Sequence, residues 1–167
     1  MLTVSIIVPC RNEGTHIRGF LDSLLKQDMD GLDWEAIIAD GRSDDGTREV
    51  LERYSRLHPR IRWIDNPQQI VSTGLNAAIR QARGEVVLRM DTHTEYAPDY
   101  VRNCVETLQS TQADNVGGPW CARSNGLVGT AIAAGFQSPL CAGRAQSHRT
   151  TYEGFVDTVY LGCWRKD

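Results

Sequence analysis

Residues 4–15 have the sequence V-S-I-I-V-P-C-R-N-E-G-T, and residues 34–47 have the sequence W-E-A-I-I-A-D-G-R-S-D-D-G-T. Each stretch begins with a short, nearly all-apolar run and ends in a polar loop. Apolar runs of this length are typical of strands that are covered on both faces of a sheet. The two stretches therefore predict buried strands at residues 4–8 and 34–39, each followed by a polar loop at its carboxyl end.

The same alternation continues along the chain. Apolar runs at residues 61–64 and 85–90 predict two further strands, and apolar residues at helical spacing predict one helix after each of the four strands. The third helix is expected to end with Gly84 as its C′ residue, and Pro98 is expected in the first turn of the fourth helix. Strands that alternate with helices build a mostly parallel sheet with helices on both faces.

Beyond residue 109 the alternation weakens. Residues 115–118 and 156–161 are predicted to form further strands, with a loop and one helix between them. The chain has 167 residues, which is the size of one domain. We therefore expect a single α/β domain over residues 1–167.

The composition excludes several classes of protein. Lys and Arg number 18 and Asp and Glu number 21, so the net charge is −3, which argues against a nucleic-acid partner. The sequence has no run of about 18 apolar residues, which predicts no membrane span. Pro9 interrupts the apolar N-terminal run, which argues against a signal peptide and favours a cytoplasmic protein. The five Cys are widely spaced and predict reduced thiols, not a zinc site.

Polar clusters follow three of the predicted strands, at residues 9–15, 40–47 and 91–94. The carboxyl ends of parallel strands meet at one edge of a sheet, where α/β proteins bind their ligands. Asp91 and His93 stand two residues apart at a strand end and can reach one cation together, with water and phosphate oxygens as its other ligands. The alternative interpretations are helix caps for the first two clusters and a solvated turn for the third.

Several common nucleotide-binding and hydrolytic motifs do not occur in the sequence. No G-x-G-x-x-G follows the first strand, and neither a Walker A sequence nor a G-x-S-x-G elbow is present. A P-loop nucleotidase is therefore excluded, and a dinucleotide site of the Rossmann type or an α/β-hydrolase is disfavoured.

Four motifs occur in order along the chain. They are V-S-I-I-V-P-C-R-N-E at residues 4–13, A-D-G-R-S-D-D-G-T at 39–47, N-P-Q-Q-I-V-S-T-G-L-N-A-A-I-R-Q-A-R-G-E at 66–85 and R-M-D-T-H-T at 89–94. Together they resemble the family-two inverting glycosyltransferases of the GT-A fold. The last motif stands where the family has its Asp-x-Asp metal motif, and its Asp-x-His form resembles the succinoglycan-type exopolysaccharide glycosyltransferases. The resemblance implies a Rossmann-like α/β sandwich.

The resemblance also implies which residues bind the donor. The implied nucleotide-binding residues are Pro9, Arg11, Asn12, Glu13, Asp40, Gly74, Asn76 and Asp91. Asp91 and His93 would hold Mg²⁺ or Mn²⁺ on the diphosphate, where a cation stabilises the growing charge of the leaving group. Asp40 would contact the base or the ribose. Because a carboxylate can accept a hydrogen bond from the N3–H of uracil, the resemblance and Asp40 together favour a UDP-sugar donor, with UDP-glucose as the first candidate.

The implied function is metal-dependent, inverting transfer of a sugar from a nucleotide-diphosphate donor to a glycan or lipid-linked acceptor in polysaccharide biosynthesis. In the family the general base follows later in the chain, so it is expected beyond Asp167. The domain is accordingly expected to be truncated at its C-terminus, to bind donor without transferring sugar, and to self-associate through exposed apolar surface. The full-length protein is expected at the inner face of the membrane.

Two other functions stay open at this point. One is a sugar nucleotidyltransferase, which needs a Gly-rich loop with Lys or Arg after the first strand. The other is a non-catalytic nucleotide-binding module.

Overall fold

The computed structural model describes residues 2–124, 126–138 and 152–166. The chain divides into two compact units: the first contains the residues up to 116 together with those from 161 onward, and the second contains residues 117–160.

The first unit is an α/β sandwich, as the sequence predicts. Its strands are β1 (Leu2–Cys10), β2 (Leu32–Asp40), β3 (Ile61–Asp65), β4 (Val86–Arg89), β5 (Asn115–Val116) and β6 (Cys163–Arg165). Its helices are α1 (Ile17–Leu24), α2 (Thr47–Leu57), α3 (Val71–Gln81) and α4 (Tyr100–Ser110).

The strands form one sheet in the order β3-β2-β1-β4-β6-β5. β1 is parallel to both β2 and β4, and β2 is parallel to β3. β6 is antiparallel to both of its neighbours, β4 and β5. The predicted mostly parallel sheet is therefore confirmed, and its antiparallel edge is a feature that the sequence analysis did not anticipate.

Helices cover both faces of this sheet. Alternate residues of a strand point to opposite faces, and β1 accordingly contributes Val4, Ile6 and Val8 to a core shared with α1, α2 and α4. Ile7 instead belongs to a smaller core that includes Ala78 of α3. Burial on both sides thus explains the nearly all-apolar strands, and most of the polar side chains are left to the loops at the strand ends.

Two predicted helix boundaries are wrong. α3 ends at Gln81, so Gly84 is not its C′ residue. Gly84 is required for another reason, because a Cβ atom on it would lie 2.5 Å from Ser5 N. Pro98 precedes α4, which begins at Tyr100, and the Pro98 carbonyl instead accepts a hydrogen bond from Asp28 N at 2.7 Å.

The predicted strand at residues 156–161 is also wrong. The strand in this region is β6, and Leu161 and Gly162, with φ of 64° and 84°, immediately precede it. Left-handed residues interrupt an extended strand, so pairing with β4 starts only at Cys163. The predicted strand at residues 115–118 is confirmed but shorter, as β5 covers two residues.

The second unit contains α5 (Leu127–Gln137), the helix expected between the last two predicted strands. Several of its apolar side chains face solvent, with Leu127 90% exposed and Val128 72% exposed. Trp120 contacts the rings of Phe136 and Tyr160, with centroids 5.5 Å and 6.1 Å away. Among the described residues, none of the helices combines the length and apolar character needed to cross a bilayer.

Candidate functional site

Three loops leave the carboxyl ends of neighbouring parallel strands and form the candidate site. They are the first loop after β1 (residues 11–16), the second loop after β2 (residues 41–46) and the third loop after β4 (residues 90–99). β1 lies between β2 and β4 in the sheet, so all three loops leave the same edge. Backbone bonds continue the pairing there, with Gly41 N donating to Cys10 O at 2.8 Å and Met90 N donating to Ile7 O at 3.0 Å.

Asn12 joins the first loop to the second loop through two hydrogen bonds. Its backbone N donates to Ser43 Oγ at 2.8 Å, and its Oδ1 accepts from Asp44 N at 3.1 Å. Asn12 adopts a φ of 54°, a left-handed conformation that Asn tolerates better than most residues. The amide oxygen of Asn12 is therefore engaged in shaping the loops.

The start of α2 holds the next two amides of the first loop. Glu13 N donates to Thr47 Oγ1 at 2.9 Å, and Gly14 N donates to Asp45 Oδ2 at 2.8 Å. Thr47 Oγ1 in turn donates to Asp45 Oδ1 at 2.5 Å. These hydrogen bonds, that of Thr47 first, hold the pKa of Asp45 below its ordinary value. The N-cap of α2 is Gly46, without a side-chain cap, and Asp45 Oδ1 accepts from Thr47 N, the first amide of α2, at 3.1 Å, so Asp45 both bonds the start of the helix and joins the two loops.

Asp40, at the end of β2, is fully buried. Its Oδ1 accepts from Ser43 Oγ at 2.5 Å, and its Oδ2 accepts from Arg48 Nε at 2.6 Å and from Ser43 N at 3.2 Å. From the family resemblance, this carboxylate is expected to contact the base or the ribose of a nucleotide. In the structure its oxygens face these protein donors and have no exposed surface.

Arg48 is a residue that the sequence analysis missed. From the first turn of α2, its guanidinium pairs with Asp40 and with Asp65 at the end of β3. The guanidinium carbon also lies 5.3 Å from the centre of the Trp63 ring, within the range of a cation–π contact. The hydrogen bond with Asp40 raises the pKa of Arg48, which stays charged. No spacing rule in the sequence marks Arg48, because the contact requires α2 to fold back onto the sheet edge.

Asp91 lies near the start of the third loop and is largely buried, with 9% of the residue exposed. Both of its oxygens accept from Arg89, at 3.1 Å from Nε and 3.2 Å from Nη2. Its backbone N donates to Tyr96 Oη at 2.7 Å. The Asp91 side chain keeps 12% of its surface exposed, so it is partly accessible and lies beside a permanent positive charge.

His93 lies opposite the first loop. Its side chain is 60% exposed, and its Nδ1 lies 3.8 Å from Glu13 Oε1. Glu13 also contacts His16, whose Nδ1 lies 3.3 Å from Oε2. The structure thus brings Glu13 and His93, both named from the sequence, close together across the site edge.

The side chains at this edge are of types that bind a divalent cation whose other ligands come from a bound molecule. Within residues 2–124, 126–138 and 152–166, no cluster of three or more His, Cys, Asp or Glu side chains could hold a metal ion. Asp91 and His93 offer one carboxylate and one imidazole, which Mn²⁺ accepts and which suit Mg²⁺ less well on the nitrogen side. By donor type, the two residues are compatible with a cation whose remaining ligands are phosphate oxygens.

The other residues named from the sequence take different positions. Pro9 is part of β1. Arg11 is exposed in the first loop, and its side chain packs against Gly41, since a Cβ added to Gly41 would lie 3.2 Å from the Cβ of Arg11. Gly74 is buried in α3, where an added Cβ would meet Asn66 Nδ2 at 2.9 Å. Asn76 is exposed on α3, about 200° around the helix from Gly74. Gly74 therefore packs against the sheet edge, and Asn76 points to a different side.

The three cysteines of the first unit, Cys10, Cys104 and Cys163, are buried free thiols, and Cys121 of the second unit is an exposed one. Burial, followed by the charge of Asp40, raises the pKa of Cys10 far above its ordinary value. Although Cys10 precedes the first loop, its thiol is therefore uncharged and suits packing better than nucleophilic chemistry. Cys141 lies outside the described residues.

Comparison with known proteins gives a consistent family match. The family model "Glycosyl transferase family 2" matches residues 5–159. The chain is 37% identical over 113 residues to the succinoglycan biosynthesis protein ExoA of Rhizobium meliloti, covering 66% of the chain and 34% of that protein. It is 32% identical over 114 residues to the poly(ribitol-phosphate) β-N-acetylglucosaminyltransferase TarS of Staphylococcus aureus, covering 68% of the chain and 19% of that protein.

Solved structures agree with this match. The mannosyltransferase PcManGT from Pyrobaculum calidifontis, solved with GDP-Man and Mn²⁺, superposes with a TM-score of 0.62 at 30% identity, over 69% of this chain and 34% of that one. A structure of residues 1–349 of S. aureus TarS superposes with a TM-score of 0.72 at 19% identity, over 99% of this chain and 47% of that one, which supports the fold alone. The chain thus spans less than half of the length of these relatives.

Proposed function

This chain belongs to glycosyl transferase family 2 and has the GT-A fold, and from that premise we propose that it forms the donor-binding part of an inverting glycosyltransferase. The observation that carries the proposal is the meeting of three polar loops at one edge of the sheet, where the third loop carries the largely buried Asp91 and the exposed His93. Ligands of α/β proteins bind at this edge. The reaction proposed is transfer of a sugar from a nucleotide donor to a glycan or lipid-linked acceptor in polysaccharide biosynthesis, in agreement with the name of the relative ExoA.

A UDP-sugar is the proposed donor, and UDP-glucose is the first one to test. TarS, a relative that is 32% identical, transfers N-acetylglucosamine according to its name and has been solved with UDP and with UDP-GlcNAc. PcManGT has been solved with GDP-Man, so GDP is the necessary competitor in any binding test. The buried Asp40 carboxylate adds no support for uracil over the other bases, because its oxygens are already bonded within the protein.

Asp91 and His93 are the proposed protein ligands of a divalent cation, Mn²⁺ or Mg²⁺. When bound, such a cation would act as a Lewis acid and stabilise the charge that develops on the leaving nucleoside diphosphate. Arg89 holds Asp91 in place through two hydrogen bonds and adds a permanent positive charge beside the diphosphate. Arg11 is exposed on the first loop and is the second candidate to bind a phosphate oxygen.

Isothermal titration of this chain with UDP, GDP, CDP and dTDP, each with and without Mn²⁺, tests the proposal. We expect UDP to bind most tightly and Mn²⁺ to strengthen its binding. Asp91→Ala should remove the Mn²⁺-dependent part of the affinity, and His93→Ala should reduce it less, because a carboxylate is the stronger ligand for a hard cation. Glu49→Gln, an exposed charge removed from α2, is the control and should bind like the wild type.

Other outcomes would contradict the proposal in different ways. Tighter binding of UTP than of UDP would favour a nucleotidyltransferase. Absence of binding to every nucleotide would contradict a donor site. If Asp91→Ala and wild type bound UDP equally well in the presence of Mn²⁺, the assigned cation ligands would be contradicted, but the donor site would not.

A further inference from the structure

We infer that Asp40 is a positioning residue that acts through Ser43 and Arg48 and does not contact the base of the nucleotide. The inference rests on the proposed function in so far as the loops that Asp40 shapes are those that a nucleotide would meet. Asp40 is a carboxylate at the end of β2, a residue type and a place that favour a contact with the base. Its contacts in the structure support a different role.

The surroundings of Asp40 carry the first step. The side chain is fully buried, and an ionised carboxylate offers about four acceptor positions. Ser43 Oγ and N and Arg48 Nε supply three short contacts, at 2.5, 3.2 and 2.6 Å, and Ser43 N has a fourth, longer contact with Oδ1 at 3.4 Å. A base N–H would have to displace one of these donors to reach the carboxylate.

Ser43 passes the effect of Asp40 to the first loop. A hydroxyl has one proton to donate and lone pairs that accept. Because the Ser43 proton is directed to Asp40 Oδ1, a lone pair is left to accept from Asn12 N at 2.8 Å. Asp40 thus decides which way the Ser43 hydroxyl points, and that direction suits the Asn12 amide.

Two of the four described non-glycine residues with positive φ lie beside these contacts. Asn12 and Arg42 have φ values of 54° and 57°, in the left-handed region that non-glycine residues adopt only when their surroundings impose it. Asn12 is hydrogen-bonded directly to Ser43. Arg42 immediately precedes Ser43 in the chain and lies between it and Asp40. The hydrogen bonds of Asp40 therefore hold both loops in the conformation that exposes Arg11, Asn12 and Arg42.

Arg48 fixes Asp40 from the opposite side. Its guanidinium is itself held by Asp65 and by the face of Trp63, so it presents Nε to Asp40 from a rigid position. Asp65, Arg48, Asp40, Ser43 and Asn12 form one continuous chain of hydrogen bonds from the end of β3 to the first loop. We call this chain the Asp40 relay.

Binding of UDP and CDP to variants distinguishes positioning from base contact. Uracil carries an N–H at position 3 and cytosine carries an acceptor there, so a carboxylate that read this position would favour UDP, and an amide in its place would shift preference toward CDP. For a positioning role, Asp40→Asn and Ser43→Ala should each weaken UDP and CDP by a similar factor of about ten, the loss of roughly one hydrogen bond. The double variant should be little weaker than either single variant, because both act in one relay. Ser43→Thr, which keeps the hydroxyl, should restore affinity.

Amide hydrogen exchange gives a second readout that needs no nucleotide. In Asp40→Asn and Ser43→Ala the Asn12 amide should exchange about tenfold faster than in wild type. The Glu13 and Gly14 amides, which are bonded to Thr47 and Asp45, should keep their protection. Glu49→Gln serves again as the control for the loss of a charge, here next to Arg48.

The inference is overturned if Asp40→Asn changes the ratio of UDP to CDP affinity by about tenfold or more, or if Asn12 exchange is unchanged in Ser43→Ala. Wild-type protein that binds no nucleotide would reject the proposed function. In that case the exchange of the Asn12 amide would still support or reject the positioning role by itself.

Discussion

Gly84 provides a sharp test of the packing in this fold, because the structure and the local sequence give it different roles. A Cβ on Gly84 would lie 2.5 Å from Ser5 N and 2.9 Å from Thr3 O. Both contacts are with the backbone of the central strand β1, which cannot move aside as a flexible side chain could. Gly84→Ala must therefore separate the start of β4 from β1.

The expected cost has two parts. Overpacking of a well-packed interior costs about 1–3 kcal/mol. Separation also lengthens the buried hydrogen bond from Gly84 N to Ser5 Oγ, now 2.8 Å, and an unsatisfied buried polar group costs about 1–3 kcal/mol. We expect Gly84→Ala to lower the free energy of unfolding by about 3–4 kcal/mol. For a domain of this size the melting temperature should fall by about 10 °C.

Gly19→Ala is the matched control. Gly19 lies in α1, and a Cβ there would have no neighbour within 4 Å. Alanine favours a helix over glycine by about 0.5–1 kcal/mol, so the same chemical change should stabilise the protein at this position. Urea and thermal unfolding of the two variants beside wild type measure both effects. A Gly84→Ala variant within about 1 kcal/mol of wild type, or two variants shifted in the same direction, would refute the packing argument.

Two further predictions concern buried ionisable groups. Burial opposes ionisation of Glu35, but hydrogen bonds from the Arg83 backbone and Ser5 and the charge of Arg62 outweigh it and lower the pKa of Glu35 below 4.5. The ionised Glu35 therefore stabilises the protein above pH of about 4.5, and this stabilisation is lost as the pH falls through the lowered pKa. In urea unfolding from about pH 6 to about pH 3, the free energy of unfolding should fall more steeply with pH in wild type than in Glu35→Gln. Parallel curves for the two proteins would contradict this. Burial raises the pKa of Cys104 to about 11. Iodoacetamide should therefore label the exposed Cys121 of the native protein well before Cys104, as measured by peptide mass spectrometry. Equal labelling rates would show that Cys104 is accessible.

The parallel core of the fold could be predicted from the sequence because its signals are local. β1 and β2 each contain a nearly all-apolar run, and the helices after them carry apolar residues at helical spacing. β6 could not be predicted in this way, because its three residues pair with β4 far back in the chain, with Arg165 opposite Val86. Nothing within so short a segment distinguishes it from a loop.

The meeting of the polar clusters at one edge could likewise be predicted, because it follows from parallel topology alone. The partners of each side chain could not. Gly84 looked like a helix terminus by its place in the sequence, whereas its small size is required by β1, which lies 79 residues earlier in the chain at Ser5. Arg48 carried no signal at all, since its three contacts come from the ends of β2 and β3.

Asp40 and Asp91 show why residue type and topological position do not by themselves assign a role. Both carboxylates come at or just after the end of a parallel strand and both are paired with an arginine. Arg48 comes from the helix that follows and closes over Asp40, together with Ser43, so that no oxygen faces solvent. Arg89 instead precedes Asp91 in β4 and leaves it 12% exposed beside His93. A carboxylate whose oxygens have no exposed surface has no room for a cation or a nucleotide atom, which agrees with the positioning role that we infer for Asp40. The partial exposure of Asp91 leaves room for one, as its proposed role as a cation ligand requires. The two expected roles thus follow the direction from which each arginine approaches its carboxylate.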